Sequence, residues 1–203
     1  MKFLLGTKQH MTQVFDDKGL VRAGTVLSVG PMAVTQVKTK EIDGYDALQF
    51  GAGEQKERRL SKAVKGHLKG KMFRTLREVR TKTAQESVEV GAVIDASIFT
   101  PGDRVTVSAL SKGKGFQGVV KRHGFAGGPR THGQAHSERE GGSIGGGLRS
   151  RTPRNMKMPG RMGGDRVTVR NLTVLSVDPK ANELIVSGAV PGRRGSLVEV
   201  KGV

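Results

Sequence analysis

The stretch from residue 111 to 165 constrains this chain most. It holds 15 of the 30 glycines, 11 Lys or Arg against three acids, and three of the five histidines. At +8 it carries nearly half of the formal net charge of +17 in about a quarter of the 203 residues. From residue 124 to 162 the large apolar side chains are Phe125, Ile144, Leu148, Met156, Met158 and Met162 alone. Fixing a backbone costs roughly 1–2 kcal/mol per residue, and so few apolar groups cannot offset that cost. The segment is therefore expected to be disordered in isolation and to take shape on a partner. Glycine allows close approach and positive φ, while interspersed Arg and Lys neutralise phosphates. A membrane surface would call for an apolar helix face instead. The partner this composition implies is a polyanion of folded nucleic-acid type.

On either side of this stretch the chain reads as strands. Apolar and polar residues alternate over Val21 to Val29, Val34 to Lys38 and Arg104 to Ala109, the period of half-buried strands. Val167 with Val169, then Leu172–Val177, Leu184–Val186 and Leu197–Val200 predict four more short strands. Turn signals at Asp178-Pro179, Asn182 and Pro191-Gly192 separate them. Many short strands with turns between them imply a barrel or sandwich, not a parallel α/β sheet. One helix is expected at about 54–69, where Leu60, Ala63, Val64, His67 and Leu68 recur at three- and four-residue spacing. The core must be modest and aliphatic, because hydrophobic residues make up 35% of the chain and aromatic ones 4%. Phe3, Phe15, Phe50, Phe73 and Phe99 lie in apolar surroundings and are expected inside it.

Several chemistries are excluded by residue type and context. With no cysteine there is no disulfide scaffold or thiolate site, which fits a reducing compartment and a cytoplasmic location. No stretch approaches the roughly 18–20 apolar residues that cross a bilayer, and the apolar run after Lys2 is too short for a signal peptide. Gly113-Lys114-Gly115-Phe116-Gln117-Gly118 matches G-x-G-x-x-G, but the chain after it offers no βαβ unit to carry a dinucleotide. His123, His132 and His136 lack the fixed, four-ligand setting of a zinc site and suit hydrogen bonding or stacking on nucleic acid. His136, Ser137 and Glu138 are adjacent in sequence, which is not the convergent geometry of a catalytic triad. No enzyme activity, metal, cofactor, small-molecule substrate or membrane partner is expected. The scarcity of aromatics argues against a base-stacking platform, leaving recognition of phosphate backbone and shape.

Certain runs of residues are familiar. Gly6 to Phe15, Gly30-Pro31, Val34 to Thr39 and Asp43-Gly44-Tyr45 are followed in order by Ser111 to Arg122, His132-Gly133, Gly142-Ser143-Ile144-Gly145, Met158 to Gly163 and Gly188 to Gly192. Taken together they resemble the L-three family of bacterial large-subunit ribosomal proteins, over essentially the whole chain. The resemblance implies a mainly β fold: a six-stranded-type β-barrel from 1–110 and 165–203, with a small α+β insertion at 54–100. It also implies a long irregular Gly/Arg-rich extension at 111–164 that penetrates the large-subunit (23S-type) rRNA and reaches toward the peptidyl-transferase centre. The expected role is structural: binding that RNA beside neighbouring large-subunit proteins and nucleating early subunit assembly. Carried over residue by residue, Lys112, Lys114, Lys121 and Arg122 stand at the root of the extension. His123, Arg130, His132, His136, Arg139, Arg149, Arg151, Arg154, Lys157 and Arg161 lie along it, and Ser143, Gly145 and Gly146 fall at the tip.

The chain departs from the family pattern in places. His10 stands where glycine is frequent, so the first turn is expected to differ, and Ala23-Gly24 replaces a usual Val-Pro. Thr106 stands where an acid is usual. Gly146-Gly147-Leu148 replaces the glutamine that some members methylate, so that modification is not expected here. A DNA-compacting basic protein is the rival reading, but such proteins present arms or wedges from a helical body, which a β-rich pattern does not supply.

Overall fold

The structure is a computed structural model and describes all residues except 1, 17–18, 82–87 and 148–149. Strands β1 (Phe3–Phe15) and β2 (Val21–Ser28) open the chain, and β3 (Met32–Lys38), β4 (Ala47–Glu54), β5 (Phe73–Arg80) and β6 (Val93–Ile94) follow. Helices α1 (Lys40–Asp43) and α2 (Lys62–Leu68) lie among these, and β7 (Arg104–Leu110) comes next. The glycine-rich stretch contains β8 (Phe116–Gln117), α3 (Val119–His123) and β9 (Gly160–Arg161). Strands β10 (Arg166–Asp178), β11 (Glu183–Ser187) and β12 (Leu197–Gly202) end the chain. The expectation of a mainly β protein holds.

Six strands close on themselves in the order β1-β12-β7-β10-β11-β2, all antiparallel. Alternation along β7 puts Val105, Val107 and Ala109 inside and leaves Arg104 and Leu110 exposed. Leu4, Leu27, Val174, Leu184, Val186, Val198 and Val200 join them in one apolar cluster. Fully burying side chains of this kind contributes roughly 1.5–3 kcal/mol each. Thr25 is the one polar residue buried among the described residues, and its hydroxyl donates to the Gly188 carbonyl at 2.6 Å.

Two long strands bend by means of bulges. On β10, Val169 pairs with Val107 and Leu172 with Val105, so the long strand carries one extra residue there. Asn171 takes φ 58°, a left-handed conformation that asparagine tolerates better than β-branched residues. The two strands expected around this point are therefore one. On β1 the register slips between Lys8 and Met11. His10 thus sits at a bulge within a strand, where a first turn of altered shape was expected.

A second sheet has the order β5-β4-β3-β6 and shares the barrel's apolar cluster through Met32, Val34, Leu48 and Phe50. The Phe3 and Phe50 rings lie 5.2 Å apart. This sheet begins at Met32, so the expected insertion at 54–100 covers only its later part. The helix expected at 54–69 is shorter, because Ser61 interrupts it. The Ser61 hydroxyl accepts from the Val64 N–H at 3.4 Å as an N-cap, and Lys69 closes α2 in the left-handed region. Phe3, Phe50 and Phe99 are buried as expected, while Phe73 is half-buried. Phe15 is not in the core: it is 67% exposed and pairs across the hairpin with exposed Val21. At the far end of β1, alternation alone does not distinguish an inward phenylalanine from one beyond the last packed layer.

Chain contacts divide the molecule into two compact units, Met1–Leu110 with Arg166–Val203, and Ser111–Asp165.

Candidate nucleic-acid interface

The Ser111–Asp165 unit is built chiefly from backbone hydrogen bonds. The Ser111 N–H donates to the Asp165 carbonyl at 2.8 Å, Lys114 to Met162 at 2.9 Å, and Met162 back to Gly115 at 2.9 Å. These bonds run into the β8–β9 pair, where Phe116 faces Arg161 and Gln117 faces Gly160. The strands come this close because Gly163, at φ +78°, brings no side chain against the Lys112 carbonyl.

One turn of helix follows. In α3 Val119 is buried, and Gly124 ends the helix at φ 73° with its N–H donating to the Val120 carbonyl. The Arg122 guanidinium donates to the Met158 carbonyl at 2.7 Å, and the same carbonyl lies 3.0 Å from His123 Nε2. Those two side chains brace the root of the unit, and both are only half-buried. The glycine block thus leads through a single helical turn, and its strand pairs with an antiparallel neighbour. This is not the parallel βαβ setting of a dinucleotide fingerprint.

Cations dominate what remains accessible. Lys112, Lys114, Lys121, Arg130, Arg139, Arg151, Arg154, Lys157 and Arg161 are exposed, as are His132, His136, Gly145 and Gly146. Arg130 pairs with Glu138, so its charge is already partly neutralised. Ser143 is exposed; its hydroxyl donates to the Gly145 carbonyl at 3.1 Å and lies 3.3 Å from the Gly145 N–H. Arg149 lies outside the described residues. His123, His132 and His136 are not brought together, and among the described residues no group of three His, Asp or Glu is placed to hold a metal ion. Among them, too, no helix is long and apolar enough to cross a membrane.

One side chain in this unit was overlooked by sequence reasoning. Phe116 is 74% exposed, although its neighbours Val119 and Phe125 are used internally. No apolar periodicity in the surrounding G-x-G-x-x-G run marks the ring as inward or outward.

In the other unit several acids are tied into ion pairs. Glu199 bridges Arg77, at 2.9 Å, and Arg166. Lys38 lies 2.7 Å from Glu78, and its ammonium donates to the Tyr45 hydroxyl at 2.9 Å. The hydrogen bond from Lys38, with a second from Tyr45, holds the Glu78 carboxyl below the usual carboxylate range, and the same pair raises Lys38. Asp103 is lowered by Lys2, at 2.6 Å, and by the Thr100 N–H at 2.9 Å.

The fold is a closed β-barrel unit together with a basic, glycine-rich unit that buries one large apolar side chain among the described residues, with no catalytic or metal-holding cluster among them. Residues 70–190 match the family model described as Ribosomal protein L3. The large ribosomal subunit protein uL3 of Herpetosiphon aurantiacus is 49% identical over 200 residues, covering 97% of this chain and 94% of that protein. The uL3 of Roseiflexus sp. (strain RS-1) is 52% identical, covering 98% and 95%, and that of Acidothermus cellulolyticus 48% identical, covering 99% and 92%. The chain belongs to the ribosomal protein L3 family, a family of structural proteins of the large ribosomal subunit and not of enzymes.

Proposed function

We propose that this chain binds large-subunit rRNA chiefly through residues 111–164. In this reading the six-stranded barrel is the folded anchor, and the glycine-rich unit is a Gly/Arg-rich extension that threads among RNA helices toward the peptidyl-transferase centre. Binding early, beside neighbouring large-subunit proteins, it nucleates assembly of the subunit in the cytoplasm. The observation that carries this reading is the contrast within the Ser111–Asp165 unit: one buried apolar side chain, Val119, against nine exposed Lys and Arg among the described residues. Family membership supports the ribosomal setting.

Lys112, Lys114 and Lys121 act at the root, and Arg139, Arg151, Arg154, Lys157 and Arg161 neutralise phosphates along the path. Arg122 and His123 contribute by holding Met158 and by the donors they have left over. Ser143, Gly145 and Gly146 form the part that approaches other backbone most closely.

The test is the salt dependence of binding to a large-subunit rRNA transcript. If 8 to 10 phosphates are neutralised, log affinity falls against log salt with a slope of roughly −6 to −9. A slope near zero would mean that the +17 charge has no part in recognition, and equal affinity for random duplex DNA would favour the architectural rival. Tryptic cleavage at Arg130 and Arg154 is expected to slow sharply when the RNA is present.

A further inference from the structure

The β8–β9 pair has two faces, because successive residues of a strand point to opposite sides. On one side lie Gln117 and Gly160, and this side is covered: a side chain at Gly160 would meet the Arg122 guanidinium 2.6 Å away. On the other side lie Phe116 and Arg161, directly opposite each other, and both are exposed. The residues around Phe116 leave it bare. The ring is 74% exposed, on a backbone held by the Lys114–Met162 and Met162–Gly115 hydrogen bonds. Phe125, the other phenylalanine of the unit, lies 6.2 Å from the His123 ring and beside Gly141.

We propose that Phe116 is a base-stacking residue: the ring receives the flat face of one unpaired nucleobase, with Arg161 beside it to meet the attached phosphate. This rests on the RNA reading and deepens it, since that reading invoked backbone and shape alone. A nucleobase fits better than a protein surface for two reasons. Among the described residues of the unit the other exposed large apolar side chains, Ile144 and Met156, lie 28 and 40 positions further along the chain, whereas protein contacts cluster anchors in desolvated pockets. Its close companions in sequence and across the ladder, Lys112, Lys114 and Arg161, are cations, which attract a phosphodiester. Base–aromatic stacking is tolerant of base identity and requires only a rigid, accessible π-face.

The experiment compares the full chain with Phe116→Leu, Phe116→Tyr and Phe116→Trp in binding to a large-subunit rRNA transcript at several salt concentrations. Loss of one stacked base weakens binding roughly 5- to 150-fold, so Phe116→Leu should fall in that range while the two aromatic variants stay close to the parent. The slope on log salt should be the same for all four chains, because no phosphate contact has been removed. Ultraviolet irradiation of the unmutated complex should join the peptide bearing Phe116 to a single nucleotide, a readout that needs no variant to fold. If Phe116→Leu binds as the parent does while the parent keeps its steep slope, stacking is wrong and the RNA reading stands. If Phe116→Leu binds RNA normally but is lost from assembled subunits, the ring faces a protein and the proposal fails. A parent chain without salt-dependent binding would remove the RNA reading and the stacking together.

Discussion

Among the described residues, 24 apolar side chains are buried in the barrel unit and one, Val119, in the Ser111–Asp165 unit. The first unit is held by packing, with Leu4, Leu27, Val105, Leu184 and Val198 inaccessible to solvent. The second is held by carbonyl and amide groups: the Ser111–Asp165 and Lys114–Met162 bonds, the Gly128 N–H on the Glu138 carbonyl, and Arg122 on Met158. A net hydrogen bond contributes only about 0.5–1.5 kcal/mol, so the second unit gains its shape at a smaller margin than the first. The barrel's interior, being closely packed, resists even small changes of volume.

The largest expected effect comes from removing most of the second unit while keeping its root. Excising 125–156 and joining Gly124 to Lys157 through two glycines retains β8, β9 and the Arg122–Met158 contact. The thermal melt of the barrel should be unchanged. Five arginines are lost with the segment, so the slope of log affinity for rRNA on log salt should become shallower by roughly 3.5 to 4.5. A drop in melting temperature would show that the two units do not stand apart energetically.

Val174→Asp attacks the other side of the comparison. Val174 is buried on β10, and an unpaired carboxylate there should lower stability by about 3 to 5 kcal/mol, measured by urea unfolding. Retention of native stability would contradict the barrel core.

Gly163→Ala is aimed at the root alone. The left-handed backbone and the nearby Lys112 carbonyl should cost about 1–3 kcal/mol locally, seen as faster tryptic cleavage within 111–165. The barrel melt should not move.

The smallest effect is electrostatic. Because Glu78 and Asp103 have folded-state values below their unfolded ones, their stabilisation is complete above the unfolded carboxylate range, about 4. It is lost as the pH falls through the folded values. Melting temperature should therefore be flat from pH 7 to about 5 and decline in acid. Asp103→Asn should make that decline shallower without altering RNA binding.

Much of this contrast could be read in the residues. The alternation of Val105, Val107 and Ala109 exposed a strand with one buried face, and the spacing of glycine and arginine after Ser111 set that region apart. What could not be read was where regular strands continue through an irregularity. Arg170-Asn171 looks like a break between two strands, yet the left-handed Asn171 carries one strand across a bulge. Nor could the second sheet be separated from the barrel, because β3 reads as one more short apolar-rich strand and differs in which strands it pairs with. In the glycine-rich unit, charge indicated the cations, but exposure of Phe116 depends on the pairing of β8 with β9, in which it faces a residue 45 positions away, and no local pattern encodes it.

The pairing of β1 with β12 has a consequence for the order of events during synthesis. A nascent chain that has not reached Leu197 holds β1 and β7 each short of one neighbour, since β12 lies between them. The ring of strands stays open until after the whole basic segment has been synthesised, and sequence-distant closure of this kind is slow. The cationic stretch is thus complete before the six-stranded ring can be sealed.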